Sequence, residues 1–140
     1  MSGKPFAYGG VVIDTKGRIL LREPSGHFDG FVWTFSKGRP RPGETEQETA
    51  LRETLEETGV VAAIVERIPG TFACGTTENI YFLMRPTGEA GEPHDETDSV
   101  CWAATPERAR RMISETTNAI GRARDLGVLE AALALDSELR

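Results

Sequence analysis

Hydrophobic and polar positions divide the chain into short apolar runs separated by turn residues, with one long helical stretch near the middle. Apolar and aromatic residues from Ala7 to Ile13 and from Arg18 to Leu21 read as two strands, and Asp14-Thr15-Lys16-Gly17 between them reads as a hairpin turn. Phe31 to Phe35 alternates as a third short strand before a loop containing Gly38, Pro40, Pro42 and Gly43. Thr45 and Glu48 have the spacing of a capping box, in which each side chain satisfies a backbone donor of the first turn, and Gly59 has the place of a C-terminal cap. A helix is predicted between them.

Beyond it, Val60 to Ile68, Asn79 to Arg85 and Ser99 to Ala103 read as strands, the last two separated by the acidic loop Gly88 to Asp98. Thr105 and Pro106 start a further helix, and Ile120 to Leu135 form another despite Gly121 and Gly127. Strands on both sides of a long helix, with helices at the end, predict an α/β fold in which a mixed sheet is covered by helices. Strand order and pairing do not follow from the pattern.

Composition narrows the function classes. The 140 residues are in the size range of one domain, and no apolar stretch approaches the roughly 18 residues needed to span a bilayer. A formal charge of −6 argues against binding along a nucleic-acid backbone, which needs an extended basic surface. The first residues lack the pattern of a secretory signal, so the cytoplasm is the expected compartment. Cys74 and Cys101 are accordingly expected as two buried thiols rather than a disulfide.

The central helix carries the chemistry. At 100° per residue, Glu46, Thr49, Glu56 and Glu57 fall within about 60° of Glu53, while Leu51 and Leu55 point to the opposite side. Glu53 repels Glu56 and Glu57, three and four residues on, by a few tenths of a kcal/mol per pair. A hard divalent cation would offset this, since magnesium prefers carboxylate oxygens and shares its shell with substrate phosphates. Arg52, beside Glu53 and one turn from Glu56, is placed to hold a carboxylate by a charge-assisted bond. By itself such an acidic face reads as a solvated surface.

The residues around it change that reading. Gly38, Glu44, Arg52-Glu53, Glu56-Glu57, Gly59 and Val60 occur at intervals of five, seven, two and one intervening residues, with Val60 directly after Gly59. Together they resemble the signature of the Nudix hydrolases. The resemblance covers 23 positions, and the strands and helices outside it are similar to that family's layout. Two positions depart from the pattern: Thr54 stands where an aliphatic residue is usual, and Ser36 where many members have proline. Neither removes a metal ligand; Thr54 is expected at the margin of the apolar face, its hydroxyl bonding back to the helix.

The resemblance implies a Nudix-like α/β/α sandwich with a mixed central sheet, residues 1–140 forming one domain. It also implies a magnesium-dependent pyrophosphohydrolase, with manganese as the alternative ion, acting on a nucleoside diphosphate derivative such as a dinucleoside polyphosphate or a nucleoside triphosphate. Glu56 and Glu57 would be the main metal ligands, Glu53 a further ligand or the base, and Gly38 a ligand through its carbonyl. Glu44 and Arg52 would hold the carboxylates in register. A later loop supplies the base in some members, which makes Glu92, Asp95, Glu96 and Asp98 candidates and Glu96 the favoured one. Lys37, Arg39 and Arg41 surround Gly38 and are candidates for phosphate contact; Phe28, Phe31, Trp33 and Phe35 are candidates for stacking on a base.

Two alternatives share the scaffold. One is a non-catalytic nucleotide-sensing module, against which the intact carboxylates speak. The other is an isoprenoid diphosphate isomerase, which would need Cys74 or Cys101 in catalysis. The expected partner is a nucleotide-like small molecule, with no nucleic-acid polymer and no membrane, and the chain is expected as a monomer or homodimer.

Overall fold

The alternation along β1 (Phe6–Val12) assigns its residues to the two faces of one sheet. In the computed structural model, which describes residues 5–88, 91–94 and 96–140, β1 lies between β3 (Ser36–Gly38) and β6 (Thr77–Pro86). It is antiparallel to β3 and parallel to β6. On the far side of β6 lie β4 (Ala62–Arg67) and the short β5 (Phe72–Cys74), both antiparallel to it. The result is a mixed five-stranded sheet.

Helix α1 (Glu46–Thr58) covers one face through Val12, Ile80, Phe82, Met84, Ala50 and Val60. The other face buries Val11, Tyr81 and Leu83 beneath α2 (Pro106–Ile113) and α3 (Ala119–Leu139), which contribute Met112, Val128, Leu129 and Ala132. The expected α/β/α sandwich is what forms.

The expected hairpin is not. The turn exists, with Gly17 at φ 81° and its N–H donating to the Asp14 carbonyl at 3.0 Å, but only Ile13 and Ile19 bridge across it. Beyond that bridge the strands part. β1 joins the central sheet, whereas β2 (Ile19–Pro24) pairs antiparallel with β7 (Thr97–Ala103) in a separate two-stranded sheet. Both partners of β1 are non-local, and a four-residue turn carries no information about them.

The strand expected at Phe31 to Phe35 is also displaced. Of that run only Thr34 makes a bridge, to Arg22, and the strand begins at Ser36. Cys74 and Cys101 are free as expected but half-buried rather than buried.

α1 starts and stops where its ends specify. Thr45 Oγ1 accepts from Glu48 N–H at 3.1 Å, and Glu48 Oε1 accepts from Thr45 N–H at 2.9 Å. Gly59 closes the helix at φ 77°, a left-handed conformation that costs glycine nothing. Its burial departs from expectation: Thr49, Ala50, Thr54, Glu57 and Thr58 face inward, while Leu55 is 44% exposed. The Thr54 hydroxyl does not bond back to its helix; it meets the Met84 sulfur at 3.7 Å.

The helix approaches β1 closely because Gly10 lies beneath it. A Cβ at position 10 would fall 2.6 Å from Met84 Sδ and 2.7 Å from Thr54 Oγ1. Gly10→Ala is therefore expected to cost about 1–3 kcal/mol by overpacking, measured by denaturant unfolding, with an unchanged m-value.

Candidate functional site

The inward face of α1 brings the sequence-predicted carboxylates against β3, and one arginine organises most of them. Arg52 donates to both oxygens of Glu44, from Nε at 2.6 Å and from Nη2 at 2.9 Å, a bidentate pairing only a guanidinium makes. Its Nη1 reaches Glu53 and Glu56, each at 3.2 Å, and its Nη2 also donates to the Arg39 carbonyl at 3.1 Å. Glu44 accepts further bonds from Arg41 N–H at 2.8 Å and Thr49 Oγ1 at 3.0 Å. With Arg52 as the main cause, its carboxyl is held down at about 2. Loop and helix are thus tied by the pair that the sequence singled out.

Glu53 is packed against Gly38, whose missing Cβ would coincide with the Glu53 carboxylate. Burial raises the Glu53 pKa despite Arg52, and the neighbouring charges of Glu56 and Glu96 push the same way. Glu57 is only 8% exposed. Its Oε1 accepts from Lys37 N–H at 3.1 Å, and the Arg22 guanidinium lies 3.7 Å away. Burial dominates over that cation and lifts Glu57 to about 7. Glu56 is drawn outward instead, with Arg41 Nη2 on Oε2 at 3.1 Å.

Among the described residues no three His, Cys, Asp or Glu side chains converge tightly enough to hold an ion, because Arg41 and Arg52 occupy Glu56 while Glu57 turns toward Arg22. The donor chemistry nevertheless suits a hard divalent cation. Oxygen ligands prevail, the backbone at Gly38 is open to close approach, and two carboxylates are desolvated beyond what their cations compensate.

Glu57 also reaches a cavity of about 730 Å³, lined among others by Arg22, Lys37, Arg124, Phe31, Phe35 and Glu96. Of the three cations expected around a phosphate, Lys37 lines this cavity. Arg39 and Arg41 do not; both are exposed, on the outer side of the acidic face. Phe28 stands at the mouth, 75% exposed, on the 3-10 segment Ser25–Gly30, where Gly26, His27 and Asp29 all have positive φ. Trp33 packs with the core instead. Glu96 is exposed, and its backbone carbonyl accepts from Arg22 Nη2 at 2.8 Å. Glu92 and Asp98 are exposed too, and Asp95 lies outside the described residues.

Arg22 and Arg124 escaped the sequence reading. Arg22 belongs to the apolar run of β2 and bonds Thr97 Oγ1 at 2.9 Å, while Thr97 in turn donates to the Glu57 carbonyl at 2.8 Å. A charge inside an apolar strand was the only local signal. Arg124 and its neighbour Asp125 sit in a helix whose remaining pattern is mostly Ala and Leu.

Comparison with known proteins settles the family. A model of the NUDIX domain matches residues 3–119. The chain belongs to the Nudix family. It is similar to an 8-oxo-(d)GTP phosphatase of Mycolicibacterium smegmatis, 36% identical over 73 residues, which are 50% of this chain and 23% of that protein. A putative 8-oxo-dGTP diphosphatase of Bacillus subtilis is 31% identical over 97 residues, 67% of this chain and 62% of that one. The chain therefore spans less than two thirds of the length of either relative. Among solved structures, a C. elegans Ap4A hydrolase binary complex matches with a TM-score of 0.64 at 24% identity, over 84% of this chain and 93% of that one, a likeness of fold. No helix among the described residues is long and apolar enough to cross a membrane.

The raised pKa of Glu57 links this Nudix site to stability. A carboxyl whose folded-state pKa lies above its unfolded value stabilises in acid and loses that contribution as pH rises, here from about 4.5 to about 7. In chelator, Glu57→Gln should flatten this part of the stability profile and gain on the order of 1–3 kcal/mol over wild type at pH 8. Thermal melts across pH 4 to 8 check this; parallel profiles for the two proteins would refute it.

Proposed function

We propose that this chain is a divalent-metal-dependent pyrophosphohydrolase that cleaves a diphosphate linkage in a nucleoside diphosphate derivative. The observation that carries the reading is Glu57: a desolvated carboxylate of the acidic helix lines the same cavity as a lysine, two arginines and three phenylalanines. Phosphates and a base would find complementary groups there within one nucleotide's reach.

In this reading Glu53, Glu56, Glu57 and the Gly38 carbonyl hold magnesium, or manganese in its place. The ion supplies charge neutralisation on the diphosphate oxygens. Arg52 fixes the carboxylates, and Glu44 fixes Arg52. Arg41 is free to exchange Glu56 for a substrate phosphate once that carboxylate has another cation. Lys37 contacts phosphate from the cavity side.

Glu96 takes the proton from the attacking water. Its carboxylate makes no hydrogen bond among the described residues and lies near enough to Glu53 for their charges to interact, whereas Glu53 is tied to Arg52 and packed on Gly38. The named activities of the relatives, on 8-oxo-dGTP and Ap4A, support a nucleotide substrate with several phosphates.

Purified protein with magnesium is expected to hydrolyse at least one member of a panel of nucleoside triphosphates, dinucleoside polyphosphates and ADP-ribose. Glu56→Gln should lower kcat by roughly a hundredfold or more through loss of an ion ligand. Glu96→Gln should lower kcat by about 10²–10⁴. Oxygen-18 water then identifies the phosphorus attacked. Folded protein that binds magnesium yet turns over no member of the panel overturns the enzyme reading.

A further inference from the structure

The last carbonyls of a helix have no intrahelical donor, and at the end of α1 the acidic loop supplies donors for three of them. Gly91 N–H donates to the Gly59 carbonyl, His94 N–H to that of Glu56 at 2.9 Å, and the Thr97 hydroxyl to that of Glu57 at 2.8 Å. Residues on both sides of the candidate base are therefore docked on the turn that carries two of the candidate metal ligands.

Arg22 of β2 holds the same stretch from the other side. It is 8% exposed, and it donates from Nη2 to the Glu96 carbonyl at 2.8 Å and from Nε to Thr97 Oγ1 at 2.9 Å. Ser25 N–H gives the Glu96 carbonyl a second donor at 2.8 Å. The buried Thr97 hydroxyl thus accepts from β2 and commits its one proton to α1. Glu96 itself stays exposed, at the lining of the cavity, on a backbone pinned at its carbonyl.

Stability alone gives little reason for this placing of Arg22. Its one ion-pair partner among the described residues is Glu57 at 3.7 Å, too far to offset the burial of a guanidinium as Glu44 does for Arg52. Its two hydrogen bonds go to neutral acceptors of the loop, so its position holds when a cation draws the Glu57 carboxylate away.

We propose that Arg22 and Thr97 are positioning residues that fix the backbone of Glu96 to the last turn of α1, so that the proton-accepting carboxylate and the ion-holding carboxylates keep one spacing. The catalytic consequence rests on the reading of Glu96 as the base; the docking of the loop does not. A base must stay within hydrogen-bond reach of its water, and a loop meets that demand only when a rigid scaffold holds it.

Thr97→Val keeps the shape of the side chain and removes the hydroxyl, Thr97→Ser keeps the hydroxyl, and Arg22→Lys keeps the charge without the fork. For a nucleotide that the wild type hydrolyses with magnesium, Thr97→Val and Arg22→Lys are expected to lower kcat about ten- to a hundredfold, with KM and the calorimetric magnesium affinity changed less than about twofold. Thr97→Ser should recover most of kcat. In a Glu96→Gln background Thr97→Val should cost nothing further, because it acts through that carboxylate. Equal losses in the two backgrounds, or wild-type kcat in the valine variant, overturn the proposal.

Amide hydrogen exchange at His94, followed without substrate, reads the docking by itself and should quicken in Thr97→Val relative to the core strands. Unchanged exchange defeats the docking whatever the activity. Faster exchange in a protein that hydrolyses nothing sustains the docking and defeats the hydrolase reading instead.

Discussion

A carboxylate pressed into a low-dielectric site must be neutralised by a cation, by hydrogen bonds or by a proton, and Glu57 imposes that requirement on everything around it. Arg22 approaches from β2, the Lys37 amide donates from β3, and Thr97 of β7 bonds both the Glu57 carbonyl and Arg22. Three strands from two sheets are thereby fixed to the last turn of one helix. The ordinary arrangement, with leucines inward and charges outward, would have freed α1 from this web; here threonines, alanine and glutamate face inward and Leu55 faces solvent. The helix is held by polar complementarity and by the close approach that Gly10 and Gly38 allow.

That approach depends on the two-residue period of β1. Gly10 and Val12 point toward α1, Gly9 and Val11 toward α3, so consecutive glycines open a gap on each face of the sheet. On one side the gap receives the helix that carries the acidic residues. On the other it lies between Lys37 and Tyr81. Because β3 is an edge strand of three residues, Gly38 and Lys37 are neighbours in sequence yet face these opposite sides, and the Glu57 carboxylate reaches the Lys37 backbone where the strand ends. A short edge strand thus joins the acidic helix to the cavity.

What the sequence made legible was local or fixed in spacing. The Thr45–Glu48 box, the Gly59 cap and the Thr105-Pro106 start are decided by backbone groups within a few residues, and the structure has them as read. Among the 23 positions from Gly38 to Val60 the structure brings Glu44, Arg52 and Glu53 together for the same reason: most of the constraint is within one helix and the loop entering it. The hairpin misreading shows the limit, since Asp14 to Gly17 does turn the chain while the partners of β1 arrive from residues 36–38 and 77–86. Arg22 and Arg124 were illegible because their meaning is tertiary: Arg22 shows its role only when Glu57 of α1 stands beside it, and Arg124 only when the Phe31 ring lies under its guanidinium.

The charges in the cavity have a consequence for how its parts act together. Glu57 and Glu53 are acidic groups and Lys37 and Arg124 cations close by, all of them desolvated, yet Lys37 and Glu57 feel each other's charge without closing into an ion pair. Arg22 and the Lys37 amide satisfy Glu57 in part, and Asp125 satisfies Arg124 in part. A cavity optimised for stability alone would let such groups neutralise one another, as Arg52 and Glu44 do nearby. Leaving both sets incomplete costs desolvation free energy, and that cost is recovered only by a ligand that carries both signs: a cation for the carboxylates and an oxyanion for the lysine and arginine. A metal-bound diphosphate has that composition. In the absence of such a ligand the same arrangement of charge predicts a site that is a weak point of the fold, so that a diphosphate and a divalent cation together should stabilise the chain by more than the sum of their separate effects.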